Sequence, residues 1–165
     1  MEKITLGGAS KLTSPNPVTL ICTQKPDGST NLATVSWWTY VSFNPGTIVY
    51  AMSQKSYSGE RVRETKKVVL TVPGEAIADA VMACGSCTGR DTDKVEKAGV
   101  ELQELPGCEI KVPLHSRVAI QCTLKDYVEV GDHYLYICSV DQVFGNEAET
   151  GVYAWNGYGE IRPAK

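Results

Sequence analysis

Apolar and polar residues alternate along much of this chain with a period of two. Between Arg117 and Lys125, the side chains of Val118, Ile120, Cys122 and Leu124 fall on one face, and Arg117, Gln121, Thr123 and Lys125 on the other. That is the pattern of a strand with one side in a core and the other in water. Residues 18–24, 32–38, 47–53, 68–72 and 134–144 read as further strands, being rich in β-branched and aromatic residues. Lys25-Pro26-Asp27-Gly28 separates the first two, Asn44-Pro45-Gly46 the next two, and Val130-Gly131-Asp132-His133 the last long pair. Turn chemistry at these points makes neighbours in sequence antiparallel neighbours in space.

A helical period is confined to the middle of the chain. Ile77, Ala80, Val81 and Cys84 recur at helical spacing within residues 75–84, with acids early in the segment where the helix dipole favours them. Residues 58–65, after Tyr57, read as a second helix. Residues 91–98 read as a third, capped by Asp91 and ended by Gly99. Strands with short peripheral helices predict a mainly β, antiparallel, closed or nearly closed barrel of Greek-key-like type, with residues 1–165 as one domain.

Composition narrows the function classes. With 42% hydrophobic residues the chain has the apolar material for a packed core, which excludes a disordered segment. A net charge of −3 gives no electrostatic footprint for a polyanion, so nucleic acid is not expected as a partner. No run approaches the ~20 apolar residues of a membrane span. The start Met1-Glu2-Lys3-Ile4 lacks the cations and apolar stretch of a secretory signal. A cytoplasmic protein with no membrane partner is the expectation.

In that compartment the 6 cysteines read as thiols. Cys22, Cys122 and Cys138 lie inside apolar runs and are expected in the core. Cys84-Gly85-Ser86-Cys87 has a spacing that could bind a metal or close to a redox disulfide, or could be two thiols flanking a helix end. With no second CxxC or HxxxH to complete a zinc set, no metal is assigned. No GxSxG elbow, HExxH or phosphate loop is present, and Gly7-Gly8 opens no dinucleotide-binding unit.

Residues 31–39 (Asn-Leu-Ala-Thr-Val-Ser-Trp-Trp-Thr), Ser53-Gln54-Lys55-Ser56-Tyr57-Ser58, residues 87–94 (Cys-Thr-Gly-Arg-Asp-Thr-Asp-Lys) and Gly131-Asp132-His133 remain. In this order they resemble the flavin reductase-like family with an FMN-binding split β-barrel, most closely its flavoredoxin-type members. The resemblance covers residues from about 15 to 145 and implies FMN at a homodimer interface. It places Asn31, Thr34, Ser36, Trp37, Trp38, Ser53, Lys55, Ser58, Lys94 and Tyr158 at the cofactor, although the tail around Tyr158 is only loosely similar to the family's closing stretch.

The physical chemistry of each segment is compatible with that implication. Alternation sends Trp37 and Trp38 to opposite faces, so only one can enter the barrel core. The other is left for the flavin or a partner subunit, or both are ordinary core and interface aromatics. Ser53 to Ser58 carries hydroxyls ahead of a helix start, which suits either a phosphate or a plain cap. The resemblance points Lys94 at the flavin, where a cation stabilises the reduced anion; a solvated lysine paired with Asp91 or Glu96 is the alternative. It also puts His133 near a nicotinamide as the catalytic residue, against an unremarkable turn histidine.

The expected function is therefore hydride and electron transfer from NAD(P)H through FMN to a flavin or protein acceptor. The alternatives are an FMN carrier with no nicotinamide site, reduced by another redox protein, and a barrel that binds no flavin and only dimerises.

Overall fold

The computed structural model describes residues 1–164. After helix α1 (Leu6–Leu12) and the short strand β1 (Asn16–Pro17) come β2 (Thr19–Gln24), β3 (Thr30–Val35), β4 (Trp38–Phe43) and β5 (Gly46–Ser53). Helix α2 (Tyr57–Thr65) leads to β6 (Lys67–Pro73), then a 3₁₀ turn (Glu75–Ile77) opens into α3 (Ala78–Gly85), followed by α4 (Lys94–Ala98). The short strands β7 (Leu102–Gln103) and β8 (Val112–Pro113) precede the long hairpin of β9 (Ser116–Val130) and β10 (His133–Gly145). Strand β11 (Val152–Trp155) pairs with β1 on one side and with β12 (Glu160–Pro163) on the other, in a separate small sheet.

The main sheet has seven strands, all antiparallel, in the order β3-β2-β6-β9-β10-β5-β4. Its edge strands β3 and β4 are separated in sequence by Ser36 and Trp37 alone. Laid flat at ~4.8 Å per strand, such a sheet would hold those edges about 29 Å apart. The link between them reaches only about 11 Å. The sheet must therefore roll until its edges meet. The Ala51 N–H donates to the Trp37 carbonyl at 2.9 Å, which carries the β4–β5 ladder on into this link. The result is the antiparallel split barrel.

Ile21, Ile48, Tyr50, Val68, Leu70, Ile120, Cys122, Tyr136 and Cys138 fill its interior. The opposite side of β2, β3 and β6 is also covered, by α3, α4 and the chain around Val100 to Val112, in a second core that holds Leu20, Cys22, Leu32, Val69 and Ala119. Burial on both faces is why β2 reads as a continuous apolar run while β9 alternates. Ile120, Cys122 and Leu124 point inward as the alternation requires, with Val118 packed beside them. Ala80 and Cys84 of α3 face the second core, and Val81 faces the small sheet.

Residues 32–38 are not one strand. The chain leaves β3 at Val35, crosses the seam and starts β4 at Trp38, so the Asn44-Pro45-Gly46 turn joins β4 to β5. The third helix begins at Lys94 and is capped by Asp93, not Asp91: the Asp93 carboxylate accepts from the N–H groups of Val95 (3.0 Å) and Glu96 (3.1 Å). Helix α1 and the strands β1, β7, β8, β11 and β12 are too short to carry a periodic signal. No helix among the described residues is long and apolar enough to cross a membrane.

Candidate functional site

The ends of β3 and β5, the seam between β3 and β4, and the C-terminal end of α3 converge on an open cavity of about 320 Å³. β3 contributes Thr34, and Ser36 and Trp37 follow at the seam. β5 contributes Met52 and Ser53, with Ser56 just beyond. Cys84, Gly85 and Cys87 line it from the end of α3, and Lys94, His133 and Tyr158 come from other parts of the chain. Residues distant in sequence meet here because the barrel closes at this end.

The two tryptophans do separate, although strand alternation is not the cause: Trp37 lies in the link between β3 and β4 and only Trp38 in a strand. Trp38 packs on the barrel core, whereas Trp37 is 57% exposed and lines the cavity. Its ring lies 5.0 Å from that of His133, tilted by 42°. His133 stands at the start of β10, after a turn in which Gly131 takes φ +58°. Its Nδ1 lies 2.7 Å from the Asp132 carboxylate, which this contact holds below the usual carboxylate range. A carboxylate on Nδ1 fixes the ring and leaves Nε2 as its other polar atom.

Lys94 is not a solvated helix lysine. It is 5% exposed, and its Nζ donates to the Cys84 carbonyl at 2.7 Å, at the C-terminal end of α3 where helix carbonyls lack partners. Burial holds its pKa below the ordinary lysine value, while Cys87 and Cys84 push it back up. An ammonium has three donors and cannot accept. With one of its donors on Cys84, it has capacity for an anionic or carbonyl-bearing guest.

The start of α2 forms another part of the wall. Ser56 caps the helix, its Oγ accepting from the Gly59 N–H at 3.2 Å, and the Ser53 Oγ accepts from the Lys55 N–H at 3.3 Å. Both serines line the cavity. The N–H groups of the first helical turn together with hydroxyls make a place for an anion. On the β3 side, the Ser36 N–H donates to the Tyr158 Oη at 2.9 Å, and the Thr34 hydroxyl to the Val81 carbonyl at 2.5 Å. Burial raises the Tyr158 pKa, so the phenol stays protonated at neutral pH.

Of the residues singled out from sequence, Thr34, Ser36, Trp37, Ser53, Lys94, His133 and Tyr158 line this cavity. Asn31, Trp38, Lys55 and Ser58 do not. Ser58 is buried one helical residue past the lining and accepts from the Asn31 Nδ2 at 2.8 Å. Asn31 also donates to Thr23 at 3.0 Å, and its Oδ1 is buried without a partner among the described residues. Gly89 passes so close that a Cβ there would lie 1.7 Å from that oxygen, so only glycine fits. Asn31 thus ties β3 to β2 and to the start of α2, and Gly89 packs closely against it. The Lys55 side chain is exposed, and Trp38 lines a different cavity beside the small sheet.

Sequence reasoning did not place Met52, Ser56, Cys84, Gly85 or Cys87 in the site. Ser56 lay within a segment already marked, and the CxxC spacing marked the two cysteines, but nothing local showed that both faced one cavity.

Solved structures share this architecture. Flavoredoxin of Desulfovibrio vulgaris (Miyazaki F) superposes with a TM-score of 0.84 at 17% identity, covering 99% of this chain and 94% of that one. The Streptomyces globisporus C-1027 NADH:FAD oxidoreductase SgcE6 superposes with a TM-score of 0.84 at 15% identity, covering 100% and 98%. An uncharacterized protein of Archaeoglobus fulgidus is 25% identical over 118 residues, 72% of this chain and 67% of that protein. Across five curated relatives, the matched stretch spans 55% to 69% of their length. The family model for the flavin reductase like domain matches residues 12–162, and the chain belongs to that family.

Proposed function

We propose that this protein binds FMN in the cavity at the barrel end and passes electrons through it, from NAD(P)H to a flavin or protein acceptor. The observation that carries the reading is a buried ammonium, Lys94, lining the same cavity as an exposed indole, Trp37, that rests against His133. The residues fit the group in kind: an aromatic face for a ring system, a cation with unused donors, and hydroxyls at a helix start for a phosphate. Trp37 and His133 form one wall, Lys94 supplies positive charge, and Ser53 and Ser56 meet the phosphate. FMN when bound would supply the hydride-accepting and electron-storing chemistry.

A homodimer completes the reading. β4 is an edge strand with its outer backbone unpaired, and Tyr40, Val41 and Phe43 are 50%, 53% and 90% exposed. A bare apolar edge of this kind is covered in most proteins, and it runs directly into Trp37. A second copy would bury it and shelter the cavity rim.

The purified protein should show flavin absorbance when loaded with FMN, and that absorbance should bleach on anaerobic addition of NADH or NADPH. His133→Ala should slow bleaching by the nicotinamide and leave bleaching by dithionite fast, because only the nicotinamide needs the imidazole. Failure to bind FMN would overturn the reading. A flavin that binds but bleaches with neither nicotinamide would favour a carrier reduced by another redox protein, a second reading that the two cysteines of the cavity support.

A further inference from the structure

Cys84 and Cys87 are the feature of the cavity that the proposed function leaves unused. Both line it, Cys84 buried in the last turn of α3 and Cys87 half-buried just beyond the helix end. Both sulfurs are free thiols. They are one helical turn apart, a spacing that puts Cβ atoms about 5–6 Å from each other in an ideal helix. A disulfide needs about 3.5–4.5 Å. Ser86, between them, takes φ −90° and ψ −5°, so the α geometry has already begun to relax where that small adjustment must occur.

Their place in the helix sets the direction of any exchange. Pairs that act as oxidants sit where their reduced form is stabilised as a thiolate, as at a helix N-terminus. This pair sits at a helix C-terminus, where the dipole opposes a negative charge. Burial raises the Cys84 thiol further, up to about 11. Lys94 beside the pair draws the Cys84 thiol partway back down, but burial outweighs it, and a reduced form so weakly stabilised as thiolate gives its electrons up more readily.

We propose that Cys84 and Cys87 are a second redox centre of this cavity, a dithiol that reduces the bound flavin and is itself restored by an external protein dithiol. Two S–H bonds break and one S–S bond forms. The two electrons and one proton pass to the oxidised flavin, and the second proton passes to solvent. The external dithiol then reopens the S–S bond by thiol–disulfide exchange and leaves as a disulfide. Cys87, the more accessible thiol, is where that exchange begins. The proposal rests on the cavity being the flavin site, but not on nicotinamide as the donor.

The test has an arm without flavin. The flavin-free protein is equilibrated in graded ratios of reduced and oxidised dithiothreitol, and its thiols are trapped by alkylation and mapped by mass spectrometry. Cys84 and Cys87 should disappear together in a single two-electron transition, giving a linked peptide, while Cys22, Cys122 and Cys138 stay alkylatable after unfolding. Cys84→Ser and Cys87→Ser should each abolish the linked peptide. In the second arm, the reduced protein freed of dithiothreitol is mixed anaerobically with one equivalent of FMN, with binding followed by flavin fluorescence. The flavin band should bleach with one disulfide formed per flavin, at least tenfold faster than in Cys87→Ser. A pair that stays open in all buffers overturns the proposal, as does FMN that binds and remains oxidised. FMN that fails to bind overturns the flavin reading and the electron transfer with it, and the first arm still shows whether the pair closes.

Discussion

A lysine that is 5% exposed beside an open cavity keeps its charge at a desolvation cost. That cost is offset in part by the Cys84 carbonyl at 2.7 Å, and would be offset further by an anion in the cavity. The two-electron-reduced ring of a flavin is such an anion, and the oxidised ring is neutral. With FMN bound as proposed, the attraction of Lys94 would be larger for the reduced state, which would raise the potential. Lys94→Met should lower the two-electron potential of the bound flavin while FMN still binds, measured by equilibration with a dye of known potential. An unchanged potential would leave Lys94 as a brace for the end of α3 and nothing more.

At the scale of elements, the start of α2 joins a structural cap to a wall of the cavity. Ser56 satisfies the Gly59 N–H, and Ser53 anchors the turn before it. Replacing both with alanine should weaken FMN binding far more than riboflavin binding, because on the proposed reading the lost partners would face the phosphate. Each hydrogen bond to a charged group is worth roughly 1.5–3 kcal/mol, so the gap should reach about two to four decades in affinity if the two losses add. Riboflavin is the internal control: loss of the Ser56 cap costs the helix about 1 kcal/mol whichever ligand is present. Equal weakening of both ligands would place the phosphate elsewhere.

The edge strand β4 makes a prediction at the same scale. Phe43 is 90% exposed on it. Phe43→Lys should leave the fold intact, since the side chain packs on little in the protomer, and should shift the protein toward monomer in sedimentation at micromolar concentration. A wild-type protein that is already monomeric and still holds flavin would remove the dimer from the reading.

For the whole molecule, the buried thiols set an alkaline limit on stability. Burial raises Cys22, Cys122 and Cys138 well above the ordinary thiol value of 9.0. Above pH 9 the unfolded chain loses these protons while the folded chain keeps them, so stability is full below that value and falls as pH rises. Each thiol contributes a slope of up to about 1.4 kcal/mol per pH unit. Tyr50 and Tyr136, also raised by burial, act in the same direction at higher pH, and Lys94, lowered by burial, acts in the opposite one. The urea midpoint should hold to about pH 9 and drop steadily from there to about pH 11, and Cys122→Val should flatten that fall. A midpoint independent of pH across this range would show that the thiols are not held protonated by the core.

Alternation and turn chemistry alone determined that the chain is an antiparallel β protein with short outer helices. They placed Ile120, Cys122 and Leu124 inside, because side-chain direction in a strand follows from its backbone, whereas the separation of Trp37 from Trp38 came from the link between two strands and not from alternation along one. The marked segments likewise held Ser53, Lys94 and His133 before any contact between them was visible. What only the tertiary structure decided was the seam. The apolar pattern runs unbroken through Val35, Ser36, Trp37 and Trp38, and nothing local separates one long strand from two edges of a closing sheet. That closure brings the ends of β3, β5 and α3 to one cavity, buries Lys94, and turns Asn31 and Ser58 away as braces behind it. Burial and convergence are properties of contacts between residues far apart in the chain, and a local pattern carries no record of which distant residue will arrive to make them.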